Sequence, residues 1–526
     1  MSVPQRNYGP WVVAVTVTLA TFMEVLDTSI ANVALPHIAG NLSATQDEAT
    51  WVLTSYLVSN AIVLPLSAWL SSVFGRKRFY MVCVALFTVS SALCGLAPSL
   101  GWLIVFRVLQ GAGGGGLQPT EQAILADTFE PAKRGMAFAV YGVAVVTAPA
   151  LGPVLGGWIA DNYTWRWIFY INLPVGLLSL LLTRLVVSAD PPRAAVTAPA
   201  AARSRRLSID YVGIALVALA LGSLQVVLDK GQQDDWFDSR FIVVFASLAA
   251  LGLIAAVIWE LKQKAPVVEL DLLRERSFAT AFVLMFALGF VLYGSTVLLP
   301  LYLQSLMGYT AMQSGLALTA GALAIMFLMP WVGMMVARIQ AKWLIGFGLA
   351  LGAYGTYRMT HLSLDSSFAQ VSFDRVVQAS GLAFLFVPIN TVAYLFLKPG
   401  KNNSASSLLN VARNIGGSVG ISLATTILAR RAQLHHNVLA AHFGSTNPAF
   451  RSSAAALTGA LMPQGAGAGA AHDRATQMLY RLMERQSQML GFTDAFRIMA
   501  ITFAVVVPLA LLFRRYDPRA AKVAVH

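Results

Sequence analysis

Long apolar runs alternate with short polar breaks along the whole chain. Fourteen runs can be placed, at about 11–35, 49–70, 79–97, 102–126, 136–160, 166–187, 210–228, 241–260, 278–305, 314–337, 343–361, 371–396, 404–429 and 491–513. At ~1.5 Å per residue such runs match a hydrocarbon core ~30 Å thick. A backbone in lipid must satisfy its own polar groups, so the pattern predicts an all-α polytopic membrane protein. The first run is not expected to be a cleaved signal peptide: it is too long and carries Glu24 and Asp27 in its middle.

With 57% hydrophobic and only 12% charged residues, the composition excludes an ordinary soluble domain. A net charge of +13 would suit nucleic acid, but its placement points elsewhere. With the N-terminus in the cytoplasm, the inward loops collect Arg76, Lys77, Arg78, Lys133, Arg134, Arg193, Arg203, Arg205, Arg206, Lys262, Lys264, Arg274, Arg276, Arg338, Lys342, Lys398 and Lys401. The short outward loops hold only Lys230 and Arg240. This asymmetry predicts two cytoplasmic termini and no nucleic-acid partner. The six arginines of the 430–490 loop fall outside, but loops of that length translocate largely regardless of charge. Cys83 and Cys94, ~16 Å apart along one helix, are too distant for a disulfide. No metal or cofactor pattern is present, and a phosphate loop or nucleophile–base pair is missing, so no enzyme activity is expected.

The chain repeats itself. Arg107-Val-Leu-Gln110-Gly-Ala-Gly113 in the fourth run returns as Arg375-Val-Val-Gln378-Ala-Ser-Gly381 in the twelfth. Ser43-Ala-Thr-Gln46 returns at nearly the same offset as Thr310-Ala-Met-Gln313. Together they predict a duplicated bundle of six helices, with two extra spans inserted between the copies. The expected domains are a six-helix bundle over 1–187, a linker over 188–208 and two inserted helices over 209–261. A second linker over 262–277 leads into a six-helix bundle over 278–526. That last domain includes the outward loop 430–490, Gly- and Ala-rich at 464–471 and helical near 474–490.

Of the charged residues inside apolar runs, Glu24, Asp27, Arg107 and Arg413 stand out as candidates for chemistry. Glu24 and Asp27 share a helical face near the middle of the first run. A charge at the bilayer centre costs roughly 2.5–3.5 kcal/mol on insertion scales, so two together imply a task or a buried partner. Paired carboxyls suit a site that binds and releases protons; a salt bridge to an arginine elsewhere in the bundle is the structural alternative. Arg107 and Arg413 are the candidate counter-charges, and a guanidinium stays protonated, so neither carries the proton itself. Arg358 and Arg375 lie nearer span ends and read as snorkelling or structural. Glu121 and Asp127 fall toward the cytoplasmic end of the fourth run, with Asp127 expected to pair with Arg76 or Arg78. Tyr56, Asn60, Gln110, Gln118, Gln122, Tyr141, Tyr293, Asn390 and Asn410 are candidates to line a cavity for greasy, cationic or amphipathic ligands. His435, His436, His442 and His472 are expected to be solvated and bind no metal.

In the fifth run, Pro149 and Pro153 remove backbone donors, while Ala148, Gly152, Gly156 and Gly157 leave one face bare. A neighbouring helix must then approach closely, because a freed carbonyl has no water in lipid. The stretch Gly152-Pro-Val-Leu-Gly156-Gly157 is similar to the antiporter motif G-P-x-x-G-G of the major facilitator superfamily. Leu26-Asp27-Thr28-Ser29-Ile30-Ala31-Asn32-Val33-Ala34-Leu35-Pro36 resembles the first span of its fourteen-helix drug:proton antiporters, the EmrB/QacA group. Trp165-Arg166-Trp167-Ile168-Phe169 with Asn172-Leu173-Pro174 is similar to the start of their sixth span. Gly222 to Gly231 with Trp236-Phe237, and Leu434-His435-His436, look like the EmrB branch.

The resemblance implies a major facilitator fold of fourteen spans, two six-helix bundles plus two inserted helices. It implies proton-driven export of amphipathic drugs or toxic compounds from a Gram-negative inner membrane, with a periplasmic adaptor and an outer-membrane channel as partners. It departs at the loop after the second span, Ala68-Trp-Leu-Ser-Ser72-Val-Phe-Gly75-Arg76-Lys77, which lacks the family's glycine and acid. That leaves Asp127 to form a cytoplasmic gate with Arg76 and Arg78. The acids of the QacA-type thirteenth span are also replaced, by Asn410 and Arg413. The alternatives are an exporter of one metabolite, siderophore or organic acid, and a membrane sensor or scaffold.

Overall fold

The computed structural model describes residues 8–188, 210–263, 266–398, 400–444, 447–462 and 468–514. The expected linker over 188–208, apart from Ser188, lies outside them, as do Arg193, Arg203, Arg205, Arg206 and Lys264.

Helices follow the apolar runs: α1 (Pro10–Asn41), α2 (Gln46–Ala49), α3 (Trp51–Phe74), α4 (Arg76–Leu96), α5 (Leu100–Gly114), α6 (Leu117–Thr128), α7 (Pro131–Asn162), α8 (Trp167–Tyr170) and α9 (Asn172–Val186). They continue as α10 (Tyr211–Lys230), α11 (Arg240–Lys262), α12 (Arg276–Ser305), α13 (Ala311–Val336), α14 (Ala341–Met359), α15 (Phe368–Ala393), α16 (Asn402–Ala440), α17 (Pro448–Leu461) and α18 (Ala468–Val506). Among the described residues, 11 helical segments are long and apolar enough to cross a membrane. Three of the fourteen runs fall on helices that are not. The fourth breaks into α5 and α6 at Gly115 and Gly116, each piece too short alone. The eleventh, α14, has 19 residues, with Lys342 and Arg358 near its ends. The thirteenth, α16, is diluted by Asn402, Asn403, Asn410, Arg413 and Asn414.

Helix α1 packs on α7, α9 and α6, and α5 packs on α3 and α4. Helix α12 packs on α16, α15, α13 and α18, and α14 on α15 and α18. The two sets meet where α7 runs along α13 and where α3 and α6 face α16. Helix α10 packs on α11, α3 and α16.

The repeat is visible in the side chains, with its register moved. Thr310 caps α13 in a box with Gln313. The matching box before α3 is Thr45 with Glu48, two residues beyond the expected Ser43–Gln46. Ser43 cannot serve, because its φ of 53° places it in the left-handed region, away from the extended geometry of a cap. The arginine match holds as aligned: Arg107 donates to Gln110 at 2.9 Å, and Arg375 to Gln378 at 2.6 Å.

Both ends of the described chain lie on one face, here the terminal face. Trp11 packs edge-on against Phe129, Asp127 accepts from Asn402, Lys401 pairs with Glu269 at 2.6 Å, and the Arg514 amide donates to Ser277. At the opposite face, α16 and α18 are 39 residues each, ~58 Å at 1.5 Å per residue, nearly twice a bilayer core. Their far ends therefore stand out from the membrane, with α17 against α18. The region expected as a loop over 430–490 is mostly this helical projection. Its helical content is wider than the 474–490 stretch, because Ala, Arg, Gln and Met favour helix as well as water. Its base is tied by Asp494, which meets His435 at 2.9 Å, Arg497 at 3.5 Å and Arg431 at 3.7 Å.

Candidate functional site

The midpoint of α1 carries two carboxylates, each with its own set of partners. Asp27 accepts from Arg107 at 2.6 Å, from Asn172 at 2.6 Å and from Gln110 at 3.0 Å. Arg107 also donates to the Val52 carbonyl at 3.0 Å and lies over the Tyr56 ring at 4.4 Å. With side chains 0% and 1% exposed, the ion pair is sealed from solvent. Such a pair is held by its extra hydrogen bonds, since desolvation takes back most of the Coulomb attraction. Neutralising the aspartate would leave Arg107 buried without a counter-charge.

Glu24, one turn away, touches no cation. It accepts from Gln118 at 2.6 Å, Tyr56 at 3.1 Å and Asn60 at 3.3 Å. The Gln118 carbonyl in turn accepts from Arg413 and, at 3.2 Å, from Tyr141. Arg413 of α16 donates also to Asn410 at 2.6 Å and to Tyr141 at 3.3 Å, and Asn410 donates to Gln122 at 2.9 Å. This network joins α1, α6, α7 and α16.

The residues expected to line a cavity are therefore mostly consumed by one another. Tyr56, Asn60 and Gln118 hold Glu24, Gln110 holds Asp27, and Gln122, Tyr141 and Asn410 surround Arg413. Tyr293 packs beside Gly417, within reach of Arg413. Asn390 turns back on its own helix, donating to the Phe386 carbonyl at 2.8 Å. Among the described residues, buried polar atoms without a partner include Arg413 Nε, Gln122 Nε2 and Asn390 Oδ1 near the seam and Arg107 Nη2 within the first set of helices. A shallow crevice opens beside it, lined by Leu64 of α3, Leu221, Gln225 and Leu228 of α10, and Asn414 and Ile415 of α16.

Helix α7 meets α1 through its small residues. A Cβ on Gly152 would run into Ser29, and one on Gly156 would lie 3.2 Å from Ile30. Ser29 answers the missing donor of Pro153: its hydroxyl donates at 2.9 Å to the Pro149 carbonyl, four residues back, which an ordinary residue 153 would have bonded. Ala148 is fully buried on the α1 side, and Pro153 turns toward Gly315 of α13. Gly157, though buried, does not belong to the packed face, because among the described residues no atom beyond its own helix backbone lies within 4 Å of where its Cβ would stand.

At the terminal face Asp127 pairs with Arg76 and accepts from Asn402 of α16; Arg78 is exposed and takes no part. Asn403 adds a bond to Ser71 at 3.0 Å, Ser407 one to the Leu64 carbonyl at 2.9 Å, and Tyr394 stacks on Phe138 at 5.4 Å. At the opposite face α10 and the turn that follows it span the seam. Asp229 bonds Thr54 and Lys230 bonds Thr50 on the α3 side, while Gln225 accepts from Ser418 at 2.9 Å and Trp236 donates to Thr426 at 3.1 Å on the α16 side. Arg358 pairs with Asp374 at 2.6 Å, but Arg375 does not snorkel: it is buried against Ser295, Thr296 and Gln378.

Sequence reasoning passed over Ser29, Asn172, Asn402 and the chemistry of Glu121. The first was legible as the partner that Pro153 demands, and Asn172 lay in a quoted motif. Asn402 and the Glu121 contacts depend on tertiary packing. Glu121 is fully buried and accepts from the hydroxyls of Thr18, at 2.6 Å, and Thr21. Both cysteines are free and buried, and no group of three or more His, Cys, Asp or Glu among the described residues could hold a metal ion.

Residues 17–421 match the family description "Major Facilitator Superfamily". The chain is 41% identical over 437 residues to the multidrug export protein EmrB of Haemophilus influenzae, covering 83% of this chain and 84% of that protein. It is 37% identical to the fatty acid resistance protein FarB of Neisseria gonorrhoeae, covering 95% of each. To the multidrug export protein EmrB of Escherichia coli it is 35% identical, over 95% of this chain and 94% of that one. The crystal structure of the human organic anion transporter MFSD10 superposes with a TM-score of 0.59 at 13% identity, covering 96% of this chain and 100% of that one. At that identity the likeness concerns the fold alone.

Proposed function

Because the chain belongs to the major facilitator superfamily, we propose that it exports hydrophobic and amphipathic compounds across the inner membrane in exchange for protons. It is a multi-pass membrane transporter, not an enzyme. We read the architecture as fourteen spans. Residues 1–187 and 278–526 form six-helix bundles, and 209–261 are an inserted pair whose first helix straps the seam. The basic loops support a cytoplasmic position for the terminal face.

The observation that carries the reading is the buried junction of Asp27–Arg107 with Glu24–Gln118–Arg413. Charges in the middle of a bilayer mark a functional site by default. Asp27–Arg107 lies within the first bundle, and Gln118 links the neighbouring Glu24 to Arg413 where the two bundles meet. A proton reaching Asp27 frees Arg107, and rocking about α7 and α13 would then expose the seam to the other side. One proton moving down ~100 mV and one pH unit supplies about 3.7 kcal/mol, between two and three decades of substrate gradient. Unpartnered atoms at Arg413, Gln122 and Asn390 supply the few polar contacts, among aromatic walls, that amphipathic ligands need. The Arg76–Asp127–Asn402 contact serves as the cytoplasmic gate.

The helical projection is the part that suits a periplasmic adaptor, and with it an outer-membrane channel in a tripartite assembly. A second reading, export of organic acids, is favoured by Arg413, whose unpartnered Nε offers a charge-assisted bond to a carboxylate. A susceptibility panel tests both, in cells lacking and then overexpressing the chain. Resistance to dyes and uncouplers marks the first, resistance confined to amphipathic acids marks the second, and no change in either strain rejects export.

A further inference from the structure

Along α1, Thr18, Thr21, Glu24 and Asp27 follow at three-residue spacing and so form a row that winds about halfway round the helix while rising ~13.5 Å from first to last. The facing helices answer every position. Glu121 meets Thr18 and Thr21, Gln118 meets Glu24, and Gln110 with Arg107 meets Asp27. Since α1 begins at the terminal face, the carboxyls descend toward it in the order Asp27, Glu24, Glu121. From Glu121, α6 runs on to Asp127, which is partly exposed at that face.

The three carboxyls differ in what balances them. Asp27 has Arg107, and Glu24 has an amide backed by Arg413. Glu121 has two hydroxyls and no cation among its hydrogen-bond partners, although it is 0% exposed. The other ionisable groups around it are Glu24 on α1, Tyr80 on α4 and Tyr141 on α7. Arg413 on α16, Tyr56 on α3 and Arg107 on α5 are engaged elsewhere, by Gln118, Glu24 and Asp27. An unpaired charge in such a place is expensive, and a bound proton removes it. Threonine hydroxyls suit both states, donating to a carboxylate and accepting from a carboxylic acid.

We propose that Glu121 is a proton-binding site, the cytoplasmic end of a file Asp27–Glu24–Glu121 by which the exchanged proton leaves the transporter. The inference rests on the reading of the chain as a proton-coupled exporter. The transfer is a balanced proton exchange: the Glu24 acid becomes a carboxylate, the Glu121 carboxylate becomes the acid, and no electrons move. The Thr21 hydroxyl, one turn from Glu24 and already bonded to Glu121, would complete the relay when the Glu24 acid turns to it, accepting that proton and donating its own to Glu121.

The test uses the full chain in proteoliposomes with ethidium as probe. It compares the parent with Glu121→Gln, Glu121→Asp and the double variant Thr18→Val, Thr21→Val. Two activities are read: accumulation driven by an imposed pH gradient, and ethidium–ethidium exchange without a gradient. Glu121→Gln is expected to lose gradient-driven accumulation by about tenfold or more while exchange stays within about twofold. Glu121→Asp is expected to restore much of the loss. The double-valine variant removes two donors from the carboxylate, favours the proton-bound form and moves the pH profile of accumulation upward. Accumulation by Glu121→Gln at the parent level overturns the proposal, and so does loss of exchange and accumulation together, which would mark a packing or ligand role. A parent that shows no gradient-driven accumulation refutes the exporter reading itself.

Discussion

Glu24 and Arg413 do not touch, yet one amide joins them. Gln118 donates to the carboxylate at 2.6 Å and accepts from the guanidinium with its carbonyl. The link runs from α1 through α6 to α16, so the state of Glu24 is transmitted across the seam. An amide holds both neighbours only in one orientation, whereas a protonated Glu24 would no longer need the donor. Gln118→Leu should therefore lower proton-driven export by about tenfold or more while leaving the protein folded. Transport by this variant at the parent rate would show the link to be incidental.

Arg107 makes three directed hydrogen bonds, to Asp27, Gln110 and the Val52 carbonyl, within a wall of Tyr56 and Phe169. A lysine keeps the charge but not the fork. Arg107→Lys should retain more transport than Arg107→Ala, which leaves Asp27 buried without a cation, a loss of about 3–5 kcal/mol where a sealed pair is broken. Thermal unfolding of the purified variants ranks them directly, and equal midpoints for Arg107→Ala and the parent would count against a required charge.

The α1–α7 contact separates two glycines that share one motif. Gly152→Ala drives a methyl into Ser29 and breaks its bond to the Pro149 carbonyl, so both stability and transport should fall sharply. Gly157→Ala meets nothing within 4 Å among the described residues beyond its own helix backbone, and should behave like the parent. Ser29→Ala, which strands the same carbonyl, should lose about 1–3 kcal/mol of stability. Parallel melting and transport measurements check all three, and a tolerant Gly152→Ala would contradict the close approach.

Much of this arrangement was legible in the chain. Hydropathy placed the apolar runs, and the two prolines with small residues marked the helix that needs a close neighbour. The misplaced parts have physical causes. The glycine run before Leu117 is a packing surface, where a Cβ on Gly113 to Gly116 would meet Phe87, Tyr56, Asn60 or Cys83, but it also ends α5, since glycine both permits close approach and breaks helix. The projecting ends of α16 and α18 carry too little apolar sequence to register as spans and too few turn residues to be loops. Asn172, Asn402 and the hydroxyls on Glu121 come from distant positions, and no local pattern points to them. The cavity residues were picked for their chemistry, which the structure spends on one another in this closed junction.

The projection itself separates a stand-alone pump from one member of a larger assembly. Replacing residues 440–485 with a short Gly/Ser linker should preserve substrate exchange in isolated vesicles, because the junction lies far below. It should abolish resistance in cells with two membranes and remove crosslinks to a periplasmic adaptor. Full resistance without the projection would place adaptor docking elsewhere.

The central claim is that substrate leaves as a proton enters through Asp27. Vesicles holding the purified chain, loaded with ethidium and a pH-sensitive dye, are diluted into ethidium-free buffer at equal pH. Efflux of ethidium should acidify the interior in the parent. Asp27→Asn, compared per amount of folded protein, should give no acidification, and Glu24→Gln a smaller deficit. Ethidium efflux without acidification in the parent, or undiminished acidification by Asp27→Asn, would contradict the account.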